Sequence, residues 1–143
     1  MSVENKALMR RWFEEVWNQR RKEAIWEMFA AEGIAHGLGG DNSSIRGPEG
    51  FAAFHASFVA GFPDLKVAVE DVLAEGDRVA VRWRASGSLT GPGLGLAPTN
   101  RAMSVTGMSF VRIQGGLIVE AWNNFDVLGM HQQVGTLAAI ANG

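Results

Sequence analysis

The chain has no cysteine and no tyrosine among its 143 residues, and only 3 histidines and 4 prolines. Without cysteine there can be no disulfide, no thiolate nucleophile and no cysteine-based metal site, a pattern that fits the expectation of a cytoplasmic protein. Without tyrosine no mechanism can use a phenol. Charge of either sign is nearly balanced: 13 Lys and Arg against 15 Asp and Glu leave a net charge of −2. That supplies no basic field, so no nucleic-acid partner is expected. Long apolar runs are missing too. The N-terminal MSVENKALMRRWFEE is broken by charge throughout and reads as neither a signal peptide nor a membrane span. The histidines show no HxH or HExxH spacing, so no metal site is expected.

Hydrophobic residues make up 47% and charged residues 20%, the proportions of one folded soluble domain, here taken over 1–143. From Val3 to about Arg20, the residues Leu8, Met9, Trp12, Phe13, Val16 and Trp17 form a doubled stripe at helical spacing. A shorter helix is expected over Lys22–Ala31, ended by Gly33. A brief strand over 33–38 then carries His36, and GGDNSS at 39–44 reads as a loop. Gly47-Pro48-Glu49 opens a third helix with Phe51, Phe54, His55, Phe58 and Phe62 on its apolar face. Pro63 stops it. From Leu65 the period changes to two, and strands are expected over 65–74, 78–87, 102–113 and 117–125. The Gly/Pro-rich GSLTGPGLGLAPTN between the second and third of these is a loop that could serve as a lid.

Helices first and a meander of strands after them predict an α+β fold. The expected form is a cone-shaped, strongly curved, mainly antiparallel sheet with about three helices on its concave face and a short C-terminal helix. Such a cone holds a cavity suited to a small hydrophobic or aromatic molecule. Its outer face also carries apolar residues, which predicts a homodimer. On the last strand Trp122, Asn124 and Asp126 share one face, while Ala121, Asn123 and Phe125 share the other. Asp126 allows two readings: a general base if it lies in a dry pocket, or an N-cap of the closing helix. Residue chemistry alone favours the cap. His36 and His55 are further acid/base candidates, His55 if its helix lines the cavity, whereas His131 is expected at the surface. Trp122, Asn124, Arg82, Arg84, Phe58, Phe62, Met108 and Trp83 are the expected substrate-binding residues. Of these, Arg82 and Arg84 would hold an anionic or carbonyl oxygen.

Several short motifs occur together in order: FPDL at 62–65, EGD at 75–77, RW at 82–83, GSLTG at 87–91 and Pro98-Thr99. They are followed by E-x-W-x-x-x-D from Glu120 to Asp126 and GMHQQVG at 129–135. In this the chain resembles the polyketide cyclase family, SnoaL-like or ester cyclase, of the nuclear-transport-factor-like α+β fold. The resemblance implies a cofactor-independent cyclase in which Asp126 is the acid/base of an intramolecular aldol closure, and it reverses the preference for a cap. It also shows a departure. Many relatives carry histidine in Gly-Thr-His-Thr-Gly where this chain has Leu89, so His36 or His55 would have to take over any role of that residue. A non-catalytic module binding a small hydrophobic ligand is the alternative. Related limonene epoxide hydrolases pair an arginine with an acid two residues away; here that place is Arg84, which disfavours epoxide hydrolysis. A ketosteroid isomerase arrangement would need the missing tyrosine.

Overall fold

The computed structural model describes residues 2–38 and 43–138. Helix α1 (Ser2–Arg11) runs straight into a π-helical segment, Trp12–Asn18, so the first stripe is one continuous helical rod with a wider last part. Its end is marked by i→i+5 pairing, Gln19 N–H donating to the Glu14 carbonyl at 2.8 Å. Asn18 then fastens the rod to the sheet, its side chain donating to Val67 O at 2.9 Å and accepting from Val67 N at 2.8 Å.

The second helix, α2, covers only Glu23–Met28. The expected extension to Ala31 is a correction: Phe29–His36 is strand β1, with Gly33 inside it rather than capping a helix. A Cβ on Gly33 would lie 3.0 Å from Ile118 O, so glycine there admits the neighbouring strand, not a turn. Strand β2 (Ser44–Arg46) is not among the expected strands, and only Ser44 of it falls in the expected loop; residues 39–42 of that loop lie outside the described residues. Helix α3 spans Gly47–Gly61 with proline in its first turn.

The remaining strands fall close to the expected positions: β3 Lys66–Glu75, β4 Arg78–Ser88, β5 Ala102–Gln114 and β6 Leu117–Phe125, followed by helix α4, Val127–Val134. They form one open six-stranded sheet in the order β2-β1-β6-β5-β4-β3. All pairings are antiparallel except β1 with β6. Along β4 and β5 burial alternates strictly: Val79, Val81, Trp83 and Ala85 are buried, as are Met103, Val105 and Val111. That face packs under the helical rod and α3; the opposite face is open. The α+β architecture expected from the sequence is the one observed.

The Gly/Pro-rich segment does not act as a lid over the core. Thr90 and Gly91 N–H groups both reach Gly61 O at 3.2 Å, and Leu94 N–H donates to Ser57 Oγ at 3.0 Å, strapping the segment to the end of α3. Glycine at 93 is required by this approach, because a Cβ there would collide with Gly61 N and Ser57 O. Leu89 is fully buried at the root of the strap, where its carbonyl accepts from Thr99 and Asn100 N–H.

Candidate functional site

Between the helices and the concave sheet face lies a cavity of about 70 Å³, on a measure where one water needs about 10–15 Å³. Trp12, Trp17, Phe51, Phe58 and Trp83 are among its walls, and half-buried Leu38, Phe54 and Phe125 also line it. No ionisable side chain is among the lining residues that the structure describes. Polarity is confined to one hydrogen-bonded chain. Trp83 Nε1 donates to Ser109 Oγ at 3.1 Å, Ser109 donates to Asn123 Oδ1 at 2.7 Å, and Asn123 Nδ2 donates to His36 O at 3.0 Å. An amide nitrogen has two protons, and the second of Asn123 has no protein partner among the described residues.

The local sequence explains this chain of bonds. Ser109 and Asn123 are direct cross-strand partners of β5 and β6, so their side chains meet on the same face. Trp83 faces Gly107, and a Cβ on that glycine would collide with the indole ring. Glycine therefore lets the indole lie flat over β5 and reach Ser109. The signal for Asn123 was present in the alternation of β6; what the sequence did not reveal was which face of that strand turns inward.

Asp126 lies outside the cavity, which corrects the expectation of a carboxylate in an apolar pocket. It is exposed, and its side chain accepts from Gly129 N–H at 2.8 Å as the N-cap of α4. The physical reason is the period of two: with Ala121, Asn123 and Phe125 turned inward, Trp122, Asn124 and Asp126 must turn outward. Trp122 and Asn124 are accordingly exposed. Arg82, Arg84 and Met108 share that outer face, bordering a shallow polar depression with Glu70 and Asp126. Arg82 pairs with Glu70 at 3.0 Å, and Arg84 approaches Glu70 at 3.6 Å. Of the expected binding residues only Phe58 and Trp83 line the cavity. Phe62 is fully buried behind it, stacked on Phe58 at 5.4 Å.

The histidines separate in the same way. His55 is buried with its ring against Trp17, and Nε2 lies 2.7 Å from Val16 O. A carbonyl only accepts, so His55 donates and satisfies a carbonyl near the end of the first helical rod. Burial lowers its pKa and keeps the ring neutral. It is a core residue joining two helices and does not line the cavity. His131, expected at the surface, is buried and bonded to Thr136 Oγ1 at 2.6 Å, and burial lowers its pKa as well. His36 sits on the outer face between Ser44 and Glu120, each at 2.8 Å, with Trp122 stacked on its ring. The hydrogen bond from His36, with help from Arg112, holds the Glu120 carboxyl below its ordinary pKa. Among the described residues no group of three or more His, Cys, Asp or Glu side chains gathers to hold a metal ion. No described helix is long and apolar enough to cross a membrane.

Comparison with known proteins agrees with this fold. The family description "SnoaL-like polyketide cyclase" matches residues 7–134. A candidate SnoaL-like polyketide cyclase from Jannaschia sp. CCS1 is 27% identical and superposes with a TM-score of 0.85, covering 93% of this chain and 92% of its own. IdmH, a candidate polyketide cyclase from Streptomyces antibioticus, is 29% identical with a TM-score of 0.79 over 92% of this chain and 98% of its own. TsrD from Streptomyces laurentii is 27% identical with a TM-score of 0.82 over 94% of this chain and 97% of its own. Among curated proteins none matches.

Proposed function

The chain belongs to the SnoaL-like polyketide cyclase family, and from that premise we propose that it takes a small hydrophobic, carbonyl-bearing molecule into its cavity and promotes ring closure there. One observation carries the reading: an apolar, aromatic-walled cavity whose only polar feature among the described residues is the Trp83–Ser109–Asn123 chain. A chain of β-keto groups enolises readily on its own, so closure needs the enol carbon held against a second carbonyl. Apolar walls fold the substrate and exclude water, which holds the reacting carbons against each other. The remaining Asn123 N–H donates to the carbonyl oxygen under attack and stabilises the charge that develops there. The new carbon–carbon bond forms as the enol loses its proton and the attacked oxygen gains one, so atoms balance without a cofactor. The half-buried Leu38, Phe54 and Phe125 are the walls that anything larger than a few atoms would displace on entry.

Asp126 has no part in this reading, because its carboxylate lies on the far side of the sheet from the cavity. The absence of an ionisable wall residue among the described residues favours a second reading, a receptor that binds the same ligand unchanged. Incubating the protein with a cyclisable poly-β-keto ester and following product by mass spectrometry and NMR separates the two. Cyclised product should form, and Asn123→Leu should lower its rate by about 100-fold, as loss of one oxyanion donor does. Equal rates in the two proteins would overturn the role of Asn123. Tight binding, seen as a change in tryptophan fluorescence, without conversion would leave the receptor.

We further read the outer sheet face as a homodimer contact. Met108 is 61% exposed, Phe110 45% and Trp122 41%, three large apolar side chains on neighbouring strands. Covering such a patch is favourable and a second copy of the same sheet is its simplest partner.

A further inference from the structure

One cluster of side chains outside the cavity is arranged for nucleophilic chemistry. His36 at the end of β1 and Ser44 at the start of β2 are cross-strand partners, and Glu120 lies on the neighbouring β6. Ser44 Oγ is 2.8 Å from His36 Nδ1, and Glu120 Oε2 is 2.8 Å from Nε2 on the other side of the ring. A carboxylate only accepts, so Nε2 holds the ring proton. Nδ1 is then the lone pair that accepts from the Ser44 hydroxyl. The imidazole is thus a base for a serine and a donor to an acid, the relation that activates a serine nucleophile. The ring is held in this pose by Trp122, stacked at 5.6 Å and 27°. Arg112 Nη2, 3.3 Å from the other Glu120 oxygen, holds the acid. Ser44 itself is exposed on the edge strand of the sheet, two strands from Trp122 and three from Met108 and Phe110, so an incoming molecule reaches it from beyond the apolar patch.

We propose that Ser44, His36 and Glu120 form an acyl-transfer site on the outer face of the sheet that hydrolyses small activated esters. Ser44 Oγ bonds to the acyl carbon while its proton passes to His36 Nδ1, and Glu120 stabilises the imidazolium through Nε2–H. The carbon–oxygen bond to the alcohol breaks, and the departing oxygen takes the proton from Nδ1. Water then gives a proton to Nδ1 and its oxygen to the acyl carbon. Ser44 leaves with the returned proton, so one ester and one water yield one acid and one alcohol.

The test uses the full chain and p-nitrophenyl acetate. Nitrophenolate release should exceed the buffer rate, with an acetyl group found by peptide mass spectrometry on Ser44. Ser44→Ala should lose both the adduct and the excess rate; exposed and small, it is not expected to disturb folding. His36→Gln should slow acylation by about 100-fold or more, as loss of a general base does. No adduct on Ser44 in the wild-type protein, or an undiminished rate in Ser44→Ala, would overturn the proposal.

Discussion

Asp126 and Asn123 stand three residues apart and face opposite sides of the sheet. The carboxylate caps a helix in water; the carboxamide sits at the cavity with one amide proton unused among the described residues. Asp126→Ala should therefore lower stability by about 0.5–2 kcal/mol, the usual cost of a lost N-cap, while product formation in the cavity stays unchanged. Urea unfolding and the cyclisation assay check the two halves separately. His55 gives a second prediction. Burial lowers its pKa in the folded protein, so between that lowered value and the ordinary one of about 6.5 the unfolded chain binds a proton that the folded chain does not. Its contribution to stability is whole above about pH 6.5 and shrinks as the pH falls through that interval. His131 acts in the same direction. Urea midpoints should drop from pH 7.5 to 5.5, and His55→Gln, which keeps an N–H for Val16 O without titrating, should flatten that drop. An unchanged slope would mean His55 is not the titrating group.

Strand β6 shows how an element was read in the right place and turned the wrong way. Alternation predicted its span and the two sets of side chains correctly, but no strand states which of its faces meets the core. Both sets mix polar and apolar residues: Trp122 with Asn124 and Asp126, Ala121 and Phe125 with Asn123. The neighbours decide. Val111 and Ser109 of β5 are buried and pair with Ala121 and Asn123, pulling that face inward. The start of strand β1 is hidden in the sequence because Phe29, Ala30 and Ala31 continue a helical composition; pairing Phe29 with Ile118 of β6 overrides that propensity. Gly107 is a position where two strands interlock closely, the Trp83 indole of β4 lying over β5. Gly107→Ala would push the Trp83 indole off Ser109, and overpacking of this kind should cost about 1–3 kcal/mol. The expected result is a lower urea midpoint together with a shifted Trp emission; a variant as stable as the wild type would show that the indole has room to move.

At the scale of the molecule, one sheet separates two surfaces of different chemistry. Its concave side closes over a cavity whose described walls carry no charge, and its outer side carries the Arg82–Glu70 pair, the serine–histidine–glutamate cluster and an apolar patch. Phe110→Glu places a charge in the middle of that patch. Sedimentation at micromolar concentration should give a dimer for the wild-type chain and a monomer for the variant, and a wild-type monomer would refute the contact. The amino-acid sequence by itself determined the α+β class, the family resemblance and the order of elements apart from β2 and the start of β1, because periods of 3.6 and 2 and the turn residues are local properties. It also determined what the chemistry cannot use, namely a thiol or a phenol. Only the tertiary structure decided which side of β6 is inside, and so exchanged Asp126 for Asn123 at the cavity. A strand's two faces are equivalent until other strands and helices cover one of them, and the energy that chooses between them comes from those distant partners.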